Sequence, residues 1–323
     1  MSLYGLKQAP KTFSEKLQDG LLERGFTQST LDPCLFLKKN MICVVYVDDT
    51  IIAAPTAEPI DDLITSLGVL EEEQRHVFEL CDEGEVGDFL GIQIEKKSKS
   101  SFTLTQPGLI RKVLEASGMA DSHATKSPAS PTPLAIDKDR EAFNERWDYA
   151  SIIGMLMYLA NNSRPDIAYA THQCARFTHQ PRASHATAVK RILRYLKGTQ
   201  DKGMTISPTG SLAVDCYVDA DFAGLWGVED PQDPISVKSR TGFLITFMGC
   251  PLLWQSKLQT QIALSTMEAE YIALSSAMRE LIAVREILKD LHLHVFGEAN
   301  VNLSYSTTCK GFIPQSKVYE DNQ

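Results

Sequence analysis

The first 117 residues mix helical and strand spacing of apolar side chains. Phe13, Leu17 and Leu21 recur at helical spacing before Gly25, so residues 11–24 are predicted to form an amphipathic helix. Short apolar runs bounded by turn residues predict strands in the rest of this region. The predicted strands are residues 35–37, 41–47, 50–54, 88–95 and 101–105.

Residues 118–146 differ in composition from the regions on either side. The stretch from Ser122 to Pro133 is rich in Pro, Ser and Thr, which is typical of a linker. After it, residues 147–161 and 183–197 have the apolar spacing of helices. The chain is therefore predicted to pass through a linker into a helical segment.

The last third of the chain returns to strand patterns around one long helix. The predicted strands are residues 212–218, 241–248, 252–256 and 317–319. Residues 265–291 are predicted to form a helix, because Ser265 and Glu268 match a capping box at its start. The whole pattern predicts a multidomain protein of the α+β or α/β class.

The composition is that of an ordinary globular protein. The chain has 323 residues, of which 43% are hydrophobic and 23% charged, enough for two or three domains. There is no run of eighteen apolar residues and no signal-peptide pattern, and the seven cysteines are scattered without a Cys-x-x-Cys spacing. We therefore expect an intracellular protein with reduced thiols that does not bind a membrane. Three histidines lack metal-site spacing and are expected at the surface or in loops: His172, His179 and His185.

The net charge argues against nucleic-acid binding, whereas the local distribution of charge favours it. The net charge is −9, but residues 176–202 contain seven Lys and Arg and a single acid. Lys190, Arg194 and Lys197 lie along one face of a predicted helix, with Arg191 beside them. These four residues are candidate contacts to nucleic-acid phosphates, and a solvated helix face is the alternative.

Two adjacent acidic residues, Asp48 and Asp49, interrupt an otherwise apolar hairpin. Charges at the border of a buried hairpin are unfavourable unless they are paired or bound to a metal, and neighbouring carboxylates repel each other. Mg²⁺ relieves both effects, since it prefers carboxylate oxygens together with substrate phosphates. The pair is therefore a candidate metal site for nucleotidyl transfer, and an ordinary β-turn is the alternative.

A second group of acidic residues follows the order strand, helix, strand. Asp219 and Asp221 end one predicted strand, and Asp321 follows the last one. Glu270 shares a helix face with apolar residues and so borders the buried stripe, whereas Glu268 is accounted for by capping. A solvated strand end is the alternative for each aspartate.

Several motifs resemble those of copia-type retrotransposon reverse transcriptases. Tyr46-Val47-Asp48-Asp49 resembles the metal-binding hairpin, and Leu3-Tyr4-Gly5-Leu6-Lys7-Gln8-Ala9-Pro10 resembles the nucleotide-proximal motif of the palm. Leu31 to Phe36 and Phe89 to Ile92 resemble later landmarks in the expected order. The resemblance implies that Asp48 and Asp49 bind Mg²⁺ or Mn²⁺. It also implies that Tyr4, Gly5 and Tyr46 border the incoming nucleotide.

The C-terminal region resembles the RNase H domain of the same elements, which cleaves RNA in RNA–DNA hybrids with two metal ions. The segments that carry this resemblance are Tyr217 to Gly224, Ser265 to Leu274 and Tyr319 to Gln323. The resemblance implies that Asp219, Glu270 and Asp321 are metal ligands, with Asp221 as an alternative to Asp219.

The resemblance also predicts how the chain is organised. It implies a partial palm and thumb (1–117), a linker (118–146), a helical connection (147–210) and an RNase H-like mixed sheet with a helix (211–323). The implied partners are a template–primer or RNA–DNA hybrid and deoxynucleotides.

The family also uses an aspartate before the first motif and a fourth RNase H acid after the last one. We therefore expect no polymerase activity from this chain alone and do not expect RNase H activity from it. A catalytically inert nucleic-acid-binding relic is the first alternative, and a reading frame whose product does not fold stably is the second.

Overall fold

The helices and strands belong to two units, one of residues 1–86 with 280–302 and one of residues 87–279 with 303–323. The computed structural model describes residues 9–47, 49–69, 77–78, 80–209, 212–292 and 305–306. Within these residues the protein is mixed α/β, with seven α-helices and three four-stranded sheets. The predicted mixed class is therefore confirmed. The predicted domain boundaries after residues 117, 146 and 210 stay predictions.

The first unit is a sheet with helices packed against it. Its elements are α1 (Ala9–Glu23), β1 (Thr27–Gln28), β2 (Leu35–Lys38), β3 (Met41–Tyr46), β4 (Asp49–Ala53), α2 (Glu58–Gly68) and, from residue 280 onward, α7 (Thr266–Leu291). The antiparallel sheet has the order β1-β2-β3-β4. Alternate residues of β3, Met41, Cys43 and Val45, are buried in one cluster with apolar residues of α1 and α2. This period of two fixes which face of the hairpin is buried.

The second unit combines a helical cluster with two sheets. Its remaining elements are β5 (Asp88–Phe89), β6 (Ile92–Ser98), β7 (Ser101–Thr105), α3 (Pro107–Ala116), α4 (Tyr149–Asn162), α5 (Ala168–Ala175), α6 (Ala183–Lys197), β8 (Met204–Ile206), β9 (Val214–Asp221), β10 (Arg240–Phe247), β11 (Cys250–Leu258) and β12 (Tyr305–Ser306). Short 3-10 helices occur at Pro165–Ile167 and Pro234–Val237. One antiparallel sheet has the order β5-β6-β7-β8, and the other has the order β11-β10-β9-β12.

The helical cluster of the second unit forms the largest core among the described residues. Apolar residues of α3, α4, α5 and α6 are fully buried in it, for example Ile110, Leu156 and Leu193. Arg164, two residues after α4, is also buried, and its guanidinium donates to the carbonyl oxygen and the hydroxyl of Thr199 at 2.9 and 2.7 Å. These hydrogen bonds, together with the ion pair of Arg164 with Asp166 at 2.7 Å, compensate a buried charge that would otherwise be strongly unfavourable.

The segment predicted as a linker has neither a helix nor a strand, yet it packs against α6. The N–H of Thr125 donates to the carbonyl of Arg194 at 3.3 Å, and the ring of His185 is 2.7 Å from the carbonyl oxygen of Ala135. Two of its apolar side chains, Leu134 and Phe143, pack against the helical core. Tertiary contacts therefore order a segment whose local sequence predicts no regular structure.

The sheet β11-β10-β9-β12 carries the predicted acidic cluster. The strands β9, β10 and β11 are antiparallel neighbours, and β12 runs parallel to β9 at Val214 and Asp215. The indole N–H of Trp254, in β11, donates to the carbonyl of Ala160 in α4 at 2.8 Å. This bond joins the sheet to the helical cluster of the same unit.

Most predicted elements are present, but some observed ones were missed. The helices α2, α3 and α5 and the strands β1, β8 and β12 were not predicted, and the strand predicted at 317–319 lies outside the described residues. The prediction that all three histidines are at the surface or in loops is wrong for two of them. His185 is fully buried in α6, and His172 is half-buried in α5. In the part of the chain that the structure describes, no helix is both long and apolar enough to cross a membrane.

Candidate metal centre

The predicted site residues fall on several elements. Tyr4, Gly5, Asp48 and Asp321 lie outside the described residues. The others are Tyr46 and Asp49 at the β3–β4 hairpin, Asp219 in β9, Glu270 in α7, and Lys190, Arg191, Arg194 and Lys197 in α6.

The β3–β4 hairpin presents Tyr46 and Asp49 at its end. They form the last residue pair of the antiparallel register, and both are exposed to solvent. Val47, which follows Tyr46, has a φ of 58°, a left-handed conformation that β-branched residues rarely adopt. Such strain persists only where the surrounding structure holds it, and it is frequent at functional sites. The hairpin therefore holds the carboxylate of Asp49 where it can reach an ion in solvent.

The carboxylates of Asp219 and Glu270 come from different elements and interact with each other. Asp219 lies near the end of β9, paired with Gly242 of β10. Glu270 lies near the start of α7. Burial and the charge of Asp219 both raise the pKa of Glu270. The structure thus brings these two acids together, while their role as metal ligands stays a prediction.

Asp221, the alternative to Asp219, has a different environment. Its carboxylate accepts a hydrogen bond from the N–H of Arg240 and lies against the backbone of Gly224. A Cβ atom at position 224 would collide with this carboxylate, so the close approach requires glycine. Burial raises the pKa of Asp221, and the backbone hydrogen bond and charge of Arg240 oppose that effect. Asp221 therefore holds together the loop that follows β9, which leaves Asp219 as the better candidate ligand.

Arg240, the first residue of β10, is a buried cation that the sequence analysis did not single out. Its guanidinium carbon lies 5.3 Å from the centroid of the Tyr169 ring, in a cation–π geometry. Burial lowers the pKa of His172, and the charges of Arg240 and Lys257 lower it further. No local pattern marks Arg240, because only the β9–β10 register places it opposite Asp221. Of the residues around Asp221, only Gly224 could have been noticed in the sequence, because it lies three residues further along the chain.

Glu268 is occupied by capping, as the sequence predicted. The hydroxyl of Ser265 accepts from the N–H of Glu268 at 3.1 Å. The carboxylate of Glu268 accepts from the N–H of Leu264 at 2.7 Å, one residue before the position expected in a capping box. These bonds satisfy backbone donors at the start of α7, and they leave Glu270 as the acid of this helix that faces β9.

The basic side chains of α6 are half-buried and partly bound within the chain. Lys190 forms an ion pair with Glu145 at 2.7 Å, and the guanidinium of Arg191 donates to the carbonyl of Ser127 at 3.1 Å. Arg194 donates to the carbonyl of Lys190 at 3.3 Å. The alternative of a freely solvated helix face therefore fails for Lys190 and Arg191, which hold the 118–146 segment against α6.

The donor chemistry of the Asp219–Glu270 pair fits a divalent metal ion. The described residues contain no group of three His, Cys, Asp or Glu side chains arranged to hold a metal. A Mg²⁺ ion, however, keeps several waters and is commonly bound through one or two carboxylates together with substrate phosphates. Two adjacent carboxylates, one of them with a raised pKa, would be stabilised as anions by such an ion.

Comparison with known proteins places the chain in a class. Residues 1–131 match the family of reverse transcriptases (RNA-dependent DNA polymerases). The chain belongs to the copia-type retrotransposon polyproteins, as its motifs indicated. No solved structure matches it.

Three of the related proteins carry transposon names. The chain is 34% identical over 305 residues to a retrovirus-related Pol polyprotein from transposon TNT 1-94 of Nicotiana tabacum, with 91% of this chain and 22% of the relative covered. It is 32% identical over 298 residues to the Pol polyprotein from transposon RE1 of Arabidopsis thaliana, with 91% and 19% covered. It is 29% identical over 284 residues to a putative transposon Ty5-1 protein of Saccharomyces cerevisiae, with 86% and 87% covered. The chain thus spans about a fifth of the length of the two Pol polyproteins.

Proposed function

We propose that this chain is the reverse transcriptase and RNase H region of a retrotransposon polyprotein. In this proposal Asp219 and Glu270 bind a divalent metal ion, Mg²⁺ or Mn²⁺, for hydrolysis of the RNA strand of an RNA–DNA hybrid. The observation that carries it is the position of Glu270, near the start of α7, close enough to Asp219 of β9 for the charge of Asp219 to raise the pKa of Glu270.

The residues around the pair support this role. When bound, a metal ion of this kind would activate water and stabilise the charge that develops on the scissile phosphate. The hydrogen bond from the N–H of Arg240 to Asp221, and the close approach of Gly224 to the same carboxylate, hold the end of β9 in place. Asp321 is the proposed third ligand.

Metal binding is the direct test of the proposal. Titration calorimetry with Mn²⁺ should show binding by the wild-type chain. Asp219→Asn and Glu270→Gln should weaken that binding by at least about tenfold, since each removes one anionic oxygen ligand. Glu280→Gln, which changes an exposed acid on the same helix, is the matched control and should bind as the wild type does. Equal affinity in all four proteins would exclude this site.

Digestion of a labelled RNA–DNA hybrid tests the reaction itself. The proposal predicts Mg²⁺- or Mn²⁺-dependent cleavage of the RNA strand that Asp219→Asn and Glu270→Gln abolish. Such cleavage would contradict our expectation from the sequence that this chain alone is inactive. Salt-dependent hybrid binding without cleavage, together with normal Mn²⁺ binding, would instead support the inert nucleic-acid-binding alternative.

The hairpin acids have a separate proposed role in the whole polyprotein. We propose that Asp48 and Asp49 bind the metal ions of nucleotidyl transfer, with template–primer and deoxynucleotides as substrates. The exposed position of Asp49 beside Tyr46 supports this role. Primer extension with Mg²⁺ or Mn²⁺ is the test, and the expected result for this chain alone is no incorporation. Template-dependent incorporation that Asp49→Asn abolishes would contradict that expectation and establish the site.

A further inference from the structure

A polar groove lies between α7 and the β10–β11 pair, and none of the residues assigned to metal binding lines it. Its volume is about 600 Å³. Its lining includes Gln255, Lys257, Gln259, Tyr271, Ser275 and Arg279. All of them belong to the second unit.

The helical wall of the groove is a continuous row on α7. Tyr271, Ser275 and Arg279 follow each other at intervals of four residues, so they lie one above another on one face of the helix. Ala269, Ala273 and Ala277 are buried on a different face. From Glu268 to Arg279 the helix rises about 17 Å, so the row extends along three turns of α7.

The groove is positively charged in a chain that is acidic overall. Lys257 and Arg279 are exposed, and neither forms an ion pair with any described residue. Glu268 is the one acid among the lining residues, and its carboxylate accepts from the N–H of Leu264. The charge of Lys257 also contributes to the lowered pKa of His172. The groove therefore has two cations available for an anionic ligand.

Two further features of the lining suit a nucleotide chain. The ring of Tyr271 is 65% exposed, so one of its faces is free to stack on a base. Gln259 is buried, with an exposed fraction of 5%. Its side-chain oxygen accepts no hydrogen bond from the described residues. Its amide nitrogen is held by Thr241 and by the carbonyl of Ala269. The Gln259 oxygen is thus an acceptor fixed in place without a partner.

We propose that this groove binds a single strand of nucleic acid. Phosphates of the strand contact Lys257 and Arg279, and a base stacks on Tyr271. Because Tyr271 follows Glu270 in the helix, a strand in the groove passes beside the proposed metal centre. Binding in the groove does not depend on the proposed function. Only the passage of the strand toward the metal centre rests on it.

Binding is measured by fluorescence anisotropy with a labelled twelve-nucleotide RNA in EDTA, so that metal binding at Asp219 and Glu270 plays no part. The double variant Lys257→Gln/Arg279→Gln should bind more weakly than the wild type at low salt. Its slope of log affinity against log salt should be shallower by about 1.4, because each lost phosphate contact on a single strand removes about 0.7. Lys99→Gln, which changes an exposed lysine in the β6–β7 turn, is the matched control. A double variant with the affinity and slope of Lys99→Gln would overturn the proposal.

The stacking contact is tested with a pair of variants at one position. Tyr271→Phe keeps the ring and should bind as the wild type does, whereas Tyr271→Ala should bind about tenfold more weakly. Equal affinity of the two variants would exclude stacking on Tyr271. Competition with inorganic phosphate separates a strand from a simple anion. If phosphate at equal concentration displaces the RNA, the groove is an anion site and the strand proposal fails.

The outcome is independent of the proposed metal centre. The RNA assay is run in EDTA, and the Mn²⁺ titrations of Asp219→Asn and Glu270→Gln are run without RNA. If the chain binds RNA but not Mn²⁺, the metal centre is wrong and the groove stands. If it binds Mn²⁺ but not RNA, the groove is wrong and the metal centre stands.

Discussion

The imidazole ring of His185 stacks on the ring of Phe177, with centroids 3.7 Å apart and planes within 12°. Its Nδ1 accepts from the N–H of Arg182 at 3.0 Å, so Nε2 carries the proton and donates to the carbonyl of Ala135 at 2.7 Å. The fold therefore requires the neutral tautomer of a fully buried histidine. This one side chain joins the start of α6 to the segment that composition alone predicted to be a linker.

Acidification should destabilise the protein through His185. The pKa of His185 lies below its ordinary value of 6.5, mainly because the ring is buried. The charge of Arg176 lowers the pKa further, and the charges of Asp137 and Glu229 offset only part of this shift. Below pH 6.5 the unfolded chain takes up a proton that the folded chain resists, so stability falls until the pH passes the folded pKa. The loss is at most about 1.4 kcal/mol per pH unit.

Thermal melts between pH 7.5 and 5 check this dependence. His185→Gln should be less stable than the wild type at pH 7.5 and should lose less stability on acidification. His172, whose pKa is also lowered, remains in both proteins, so the difference between them reports His185. Parallel pH profiles would contradict the prediction.

Glu229→Gln should unfold at a much lower denaturant concentration. The side chain of Glu229 is buried, and its carboxylate accepts from Arg176 at 2.8 Å and from the N–H of Ile136 at 3.0 Å. Neutralising it leaves the buried guanidinium of Arg176 without its counter-charge, which costs about 3 kcal/mol or more. Equilibrium unfolding in urea measures the loss.

Glu145→Gln is the control for that experiment. Glu145 pairs with Lys190 at 2.7 Å, but both side chains are about 30% exposed. Its loss should cost less than about 1 kcal/mol, because solvent screens a pair of this kind. Similar losses in the two variants would mean that burial of the Arg176–Glu229 pair is not what makes it important.

Gly224→Ala should disturb both stability and the proposed metal centre. The added methyl group would collide with the carboxylate of Asp221, and relieving the collision must move the end of β9 or the following loop. We expect a loss of roughly 1–3 kcal/mol and weaker Mn²⁺ binding. Gly154→Ala is the control, since nothing lies within 4 Å of its Cβ position on α4, and it should be neutral or stabilising. Unchanged Mn²⁺ affinity in Gly224→Ala would show that the Asp221 loop does not position Asp219.

Val47→Asn should stabilise the β3–β4 hairpin. The φ of 58° at Val47 is unfavourable for a β-branched residue, and asparagine tolerates it. We expect a gain of roughly 0.5–1 kcal/mol, measured by urea unfolding. The reciprocal change Asn40→Val, at a residue with a φ of 59° in the β2–β3 turn, should lose a similar amount. If neither variant changes stability, the left-handed backbone at these turns carries no strain.

Local patterns in the sequence were sufficient for the elements whose side chains alternate regularly. The helix predicted at residues 183–197 is observed as α6 with the same bounds, because its apolar side chains recur with the period of a helix. The hairpins of β3 with β4 and of β6 with β7 were predicted for the same reason. In contrast, β8 completes a sheet with β7 from about one hundred residues away, and no local pattern specifies such a partner.

For the candidate site, the sequence by itself indicated the family and the candidate acids, and the tertiary structure decided the geometry. The motif around Asp48 lies in the region that matches the family, and residue type and spacing alone selected Asp219 and Glu270 as candidates. Which acid faces which depends on register: the β9–β10 pairing ties Asp221 to Arg240, and the position of α7 brings Glu270 to Asp219. Contacts between residues far apart in the chain arise from packing and hydrogen bonding of whole elements. They became visible only in the folded structure.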